Sequence, residues 1–154
     1  MLILLISFAF VALDQLTKHL VRARFALGET SPVIPGFFQL TYVRNTGAAW
    51  GIFSGLNSWL VVLSIVILVF LIVFRRSFLT DALSHQVAAG FMLAGIVGNL
   101  IDRIRLGYVV DFLDVHPGFD FPAFNVADAA ICTGVGLYLL SQWRAEQRAE
   151  PQEA

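Results

Sequence analysis

The chain has 154 residues, 58% hydrophobic and 14% charged, with a mean hydropathy of +0.77; a soluble domain carries about 25% charged residues, so this composition is that of an integral membrane protein. Ten basic residues against eleven acidic ones leave no electrostatic footprint for nucleic acid, and that class of partner is excluded. The single cysteine, Cys132, excludes an internal disulfide and any multi-cysteine metal site, and reads as a small buried residue of a helix.

A membrane-spanning helix needs about 20 largely apolar residues, and the chain offers such stretches at 2–20, 56–74, 86–104 and 124–143. The start of the first, Met1 to Leu13, has the length of a secretory signal core. No basic segment precedes it, however, and its helical pattern runs past Asp14 to Lys18, so it is expected to be a retained span. The loop that follows contains Phe37-Phe-Gln-Leu-Thr-Tyr-Val-Arg44 behind Pro32, Pro35 and Gly36, which predicts a strand or hairpin lying on the membrane surface. The second span, Leu56 to Phe74, holds no charge, and Trp59 and Arg75-Arg76 suit interfacial anchors. After a short connection, Ser77 to His85, the third span carries Gly90, Ala94, Gly95 and Gly98, small residues that let another helix approach closely. A second strand-like segment, Gly107 to Val115, precedes the fourth span and is expected to pair with the first as a small sheet. No linker or repeat divides the chain, so residues 1–154 are expected to form one domain.

An even number of spans puts both termini on one side. Charge counting leaves that side open. Arg75, Arg76, Arg144 and Arg148 favour cytoplasmic termini, whereas Lys18, Arg22, Arg24, Arg44, Arg103 and Arg105 lie on the other face. Lys18, Arg44 and Arg103 lie close to Asp or Asn, and count for less if they are held in a site.

Four aspartates lie in or beside these apolar stretches: Asp14, Asp102, Asp111 and Asp128. An ionised Asp at a helix centre costs roughly 2.5 to 3.5 kcal/mol on insertion scales, so such residues turn toward protein or a wet cavity and tend to be functional. Gly95, Asn99 and Asp102 are spaced i, i+4, i+7 and form one polar stripe; Asn125 and Asp128 are spaced i, i+3 in a first helical turn, where N–H groups favour an anion. Asp14 and Lys18, at i, i+4, read as a structural or headgroup pair, and Asp102 beside Arg103 fits helix capping as well as site organisation. Asn45-Thr-Gly-Ala-Ala49 fits a turn opening the second helix, and Asp114 and Asp120 fit solvated loop positions. His19, His85 and His116 are scattered, and no Ser-His, Ser-Lys or zinc-ligand spacing is present. Carboxylates remain. Two brought together share a proton, so that one activates water while the other polarises a scissile carbonyl.

Asp14-Gln-Leu-Thr-Lys18, Asn45-Thr-Gly-Ala-Ala49, Gly95-Ile-Val-Gly-Asn99-Leu-Ile-Asp102-Arg103, Val110-Asp111-Phe112 and Phe124-Asn125-Val-Ala-Asp128 together resemble, in order, the motifs of the bacterial lipoprotein signal peptidases, signal peptidase II. Two departures, Ala94 where glycine is common and Trp50 where phenylalanine is common, fall on apolar wall positions.

The resemblance implies four transmembrane helices with a small extracytoplasmic β-cradle and a lid loop. It implies an aspartic endopeptidase that cuts diacylglyceryl-modified prolipoproteins just before the lipidated cysteine. Asp111 and Asp128 carry over as the catalytic pair, and Asp14, Lys18, Asn45, Gly95, Asn99, Asp102, Arg103 and Asn125 as substrate-binding or supporting residues. It also implies an inner-membrane enzyme with cytoplasmic termini, a site at the outer face, no cofactor or metal, and action as a monomer among membrane lipids. Two other readings stand beside it. In a lipid-headgroup transferase the aspartates would hold a divalent cation, but the tight Asp-x-x-Asp-Gly spacing is absent. In an ion-coupled transporter the acids would need a relay across the bilayer, and they gather toward one face.

Overall fold

The structure is a computed structural model, and it describes residues 1–74, 82–116, 118–119 and 121–149. Arg75, Arg76, the 77–81 part of the connection, Pro117 and Asp120 lie outside the described residues, as does the Arg148 side chain. Among the described residues four long helices form: α1 (Leu2–Arg24), α2 (Asn57–Val73), α3 (Leu83–Leu106) and α4 (Val126–Ala149). α1 and α3 are each long and apolar enough to cross a bilayer, and α2 is apolar over 17 residues. Their outward faces carry large apolar side chains such as Leu4, Phe8, Val62, Val66 and Leu139, a surface suited to lipid.

The helix ends follow local chemistry. α1 and α3 each finish with arginines in the last turn, Arg22 and Arg24, then Arg103 and Arg105, where the C-terminal dipole favours cations. α3 stops at Gly107, whose φ of 81° supplies the left-handed cap that a side-chain-bearing residue adopts at a cost. Both helices run beyond the apolar stretches expected from sequence, by three or four residues at an end. Hydropathy marks only the greasy middle of a helix, and polar turns continue it past that boundary.

α3 is central. It packs most extensively against α4 and α1, whereas α2 packs chiefly against α3. Four glycines set these distances: Gly90 against Ile6 of α1, Gly134 against Ala88 and Met92 of α3, and the pair Gly95 and Gly98. A Cβ at Gly95 would lie 2.2 Å from the Ala127 carbonyl and 2.5 Å from Ile131 of α4. A Cβ at Gly98 would lie 2.7 Å from an oxygen of Asp14 on α1. Backbones this close are a small-residue device for joining helices where lipid gives no hydrophobic driving force.

The strand-like segments do pair. β1 (Thr30–Ile34), β2 (Phe38–Asn45) and β3 (Val109–Val115) form an antiparallel sheet in the order β1-β2-β3. Val43 stands opposite Asp111 and Asn45 opposite Val109, with a register shift between Leu40 and Val43. Phe124 bridges back to Leu113, so the chain passes along β3 before entering α4. Val21, Tyr42, Val110 and Phe112 make a buried cluster that fixes the sheet to the end of α1.

Candidate active site

Asp111 projects from β3, and Asp128 from the first turn of α4. Both line one cleft of about 450 Å³, with Asn45, Asn99 and Arg103 beside them and Trp50, Phe121, Phe124 and Ile131 among its apolar walls. A mostly apolar cleft with a few convergent polar groups is the usual form of a ligand site.

Each carboxylate is aimed by amides. Asn45 Nδ2 donates to Asp111 Oδ2 at 2.9 Å and Asn125 Nδ2 to Asp111 Oδ1 at 2.7 Å. Asn99 Nδ2 donates to Asp128 Oδ1 at 2.7 Å. Asn125 and Asp128 also close a reciprocal helix cap: the Asp128 N–H donates to Asn125 Oδ1 at 3.0 Å, and the Asn125 N–H donates to Asp128 Oδ2 at 3.2 Å. That cap starts α4 and orients Asp128 in one arrangement. Because Asn125 Oδ1 is used by the cap, its Nδ2 group faces Asp111.

Behind the amides lies a buried ionic layer. Lys18 Nζ is 2.9 Å from Asp14 Oδ2 and 3.2 Å from Asp102 Oδ2, and donates to Asn99 Oδ1 at 3.0 Å. With Lys18 on its oxygen, the Asn99 amide must present Nδ2 to Asp128. Asp14 Oδ1 accepts the Ala127 N–H of α4 at 2.9 Å, and Asp102 Oδ2 accepts the Val110 N–H at 3.0 Å, one residue before Asp111. Asp14 is 0% exposed and Lys18 2% exposed. They are therefore a buried scaffold rather than a pair at the headgroups, and every oxygen of Asp14 and Asp102 has a donor.

The electrostatics of Asp111 differ from those of an ordinary carboxylate. Burial, and secondarily the neighbouring Asp128, push its pKa from 3.8 up to about 7, against the two amides that favour the charged form. A carboxyl poised there can hold or release a proton near neutral pH.

All ten residues singled out in the sequence fall in or against this assembly, Gly95 by admitting α4 next to Asp128. Several readings change. The cation on Asp102 is Lys18 and not the adjacent Arg103, whose guanidinium instead donates to the Gly47 carbonyl at 3.2 Å and lines the cleft. Neighbours in a helix point about 100° apart, so adjacency in sequence gives no contact. Arg44 is not held in the site; it stacks on Tyr42 and Tyr108. Asp114 is largely covered and accepts a hydrogen bond from Gln39 at 2.6 Å. Asn45-Thr-Gly-Ala-Ala49 is a turn and also part of the site, since Asn45 Oδ1 accepts the Gly47 N–H while its amide reaches Asp111. Cys132 is exposed and lines the cleft, one helical turn beyond Asp128.

Sequence reading missed Gln15. Its Nε2 reaches Asp14 Oδ2 at 3.2 Å, the Gly98 carbonyl at 3.1 Å and Asp102 Oδ1 at 3.1 Å, clipping α1 to α3. A polar residue beside Asp14 in an apolar span was the available signal. The apolar wall expected at Trp50 is built with phenylalanines that sequence reading did not place there: Trp50 meets Phe121 edge-on at 6.0 Å, and Phe121 meets Phe124 at 5.8 Å. Trp50 and Phe53 hold positive φ values of 55° and 62°, conformations that bulky residues seldom adopt.

Comparison with known proteins gives the family and the fold. Residues 6–144 match the family model described as signal peptidase (SPase) II. The chain is 49% identical over 147 residues to a lipoprotein signal peptidase of Syntrophotalea carbinolica, covering 93% of this chain and 91% of the relative. It is 42% identical to one of Staphylococcus aureus, covering 90% and 85%. A bacterial membrane enzyme solved by the in meso method at 2.3 Å resolution superposes with a TM-score of 0.88 at 38% identity, covering 99% of this chain and 93% of that one. A second, solved at 1.9 Å, gives 0.80 at 41% identity, covering 91% of each.

Proposed function

The chain belongs to the signal peptidase II family, a family of membrane peptidases, and from that membership we propose that it cleaves diacylglyceryl-modified prolipoproteins just before the lipidated cysteine, with Asp111 and Asp128 as the catalytic pair. The observation that carries this reading is the two carboxylates in one cleft, each fixed by side-chain amides, with Asp111 pushed up to about 7. The pair holds one proton. Asp111 carries it toward the scissile carbonyl, and Asp128, in the first turn of α4 where the helix dipole favours an anion, takes a proton from the attacking water. Asn45, Asn99 and Asn125 keep the carboxylates aimed; Lys18, Asp14 and Asp102 keep the amides aimed. Arg103, the cation lining the cleft, faces the substrate backbone.

The same reading gives the molecule its place. All four helices cross the inner membrane, residues 1–154 act as one unit, both termini are cytoplasmic, and the sheet forms a cradle over a site at the outer face. The turn around Trp50 is the lid. The substrate's acyl chains stay in lipid while its peptide enters between the cradle and α4.

The test is incubation of purified protein in detergent, with EDTA present, with a diacylglyceryl-modified prolipoprotein, followed by mass spectrometry of the products. A new N-terminus at the lipidated cysteine is the expected result. Absence of cleavage by folded protein, or cleavage that appears only after a divalent cation is restored, would overturn the reading.

A further inference from the structure

Adjacent residues of a strand point to opposite faces of a sheet, and here the two faces differ. Asn45 and Asp111 share the face that lines the cleft. Tyr42, Arg44 and Tyr108 share the other. Arg44 Nε donates to the Tyr42 hydroxyl at 3.2 Å, the two tyrosine hydroxyls approach to 3.4 Å, and the guanidinium lies 5.0 Å from the Tyr108 ring centre and 5.7 Å from that of Tyr42. The rings are rooted in the cluster formed with Val21 and Val110, so this is a fixed shelf. Arg22 follows Val21, a member of that cluster, in the last turn of α1.

Among the described residues no carboxylate lies within ion-pair distance of Arg44 or Arg22. Glu29, whose backbone pairs with Tyr42, turns its carboxylate to the Ala26 N–H at 2.7 Å. Two guanidinium groups with open N–H donors, two phenolic hydroxyls and no protein anion make a receptor for a tetrahedral oxyanion. The position sets the source of that anion. α1 is a membrane-length helix, and the shelf sits at its polar end, where phospholipid phosphates lie.

We propose that Arg44, Tyr42, Tyr108 and Arg22 bind the phosphate of an anionic phospholipid headgroup, on the face of the sheet opposite the cleft. The bound lipid ties the sheet to the bilayer through a contact separate from the substrate's own chains. The proposal depends on the membrane placement of α1 and is independent of which residues carry out hydrolysis.

The test is native mass spectrometry of the full-length protein in detergent, titrated with phosphatidylglycerol, for wild type, Arg44→Gln and Arg22→Gln, with and without millimolar inorganic phosphate. Wild type should retain one phosphatidylglycerol in the presence of phosphate, and each substitution should weaken retention about fivefold. Arg22 is exposed on its helix, so that variant keeps the test alive should Arg44→Gln fold poorly. Equal retention by wild type and both variants would overturn the proposal. Displacement of the lipid by inorganic phosphate would also overturn it, revealing a site for free anions.

Discussion

Asp111 and Asp128 share a cleft but not an environment, and the difference makes a pH prediction. In the unfolded chain Asp111 titrates near 3.8; in the folded protein burial, then Asp128, raise it to about 7. The folded state therefore binds the proton more tightly between those values. Its contribution to stability is complete below about pH 4 and is lost as pH rises through about 7, by an amount on the order of a few kcal/mol. The unfolding midpoint of the protein in detergent should fall over that range, and Asp111→Asn, which cannot ionise, should flatten the dependence. A variant with the wild-type slope would show that Asp111 is not the group responsible. Lys18 makes a second prediction. It faces two buried carboxylates, at 2.9 Å and 3.2 Å, so Lys18→Met strands both charges and should cost about 3 to 5 kcal/mol in thermal unfolding. An unchanged midpoint would mean that Asp14 and Asp102 are neutral rather than paired. At this scale the sequence was informative about residue types and poor about partners. Asp14 and Lys18 were legible as a pair because i, i+4 places them together on any helix. The reach of Lys18 to Asn99 and Asp102 was not legible, because it depends on how far apart α1 and α3 pack.

Helix approach is governed by single glycines. Gly95→Ala would drive a methyl into the Ala127 carbonyl and Ile131, pushing α4 and the Asp128 it carries away from α3. Overpacking of this kind costs about 1 to 3 kcal/mol, and turnover should drop with the unfolding midpoint. Gly136, also on α4, has nothing within 4 Å of its would-be Cβ, so Gly136→Ala should leave activity intact and raise helix stability by as much as about 1 kcal/mol. Equal behaviour of the two variants would refute the packing account. The positions of all four helices and the pairing of the two strand-like segments were legible from hydropathy and from period-2 patterns. Which face of α4 Cys132 occupies was not: every neighbour in that stretch is apolar or small, and hydropathy does not distinguish a face turned to a cleft from one turned to protein.

On the scale of the whole molecule, the fold brings five separate segments, three helices and two strands, to one point. The end of α1 supplies the buried cation, the α3 stripe supplies Asn99 and Asp102, and the sheet supplies Asn45 and Asp111. The start of α4 supplies Asn125 and Asp128. Each carboxylate of the ionic layer accepts a backbone N–H of the element bearing a member of the pair: Asp14 holds α4 at Ala127, and Asp102 holds β3 at Val110. The ionic layer thus fixes where the pair stands, and Asp111 is left to titrate near neutral pH. The most direct test of that division is turnover of a lipid-modified prolipoprotein by Asp111→Asn and Asp128→Asn, with folding checked by unfolding midpoints. Both variants should fold, and each should lose about 100-fold to 10,000-fold in rate. A folded variant of either kind that turned over within a few-fold of wild type would contradict the assignment of the pair.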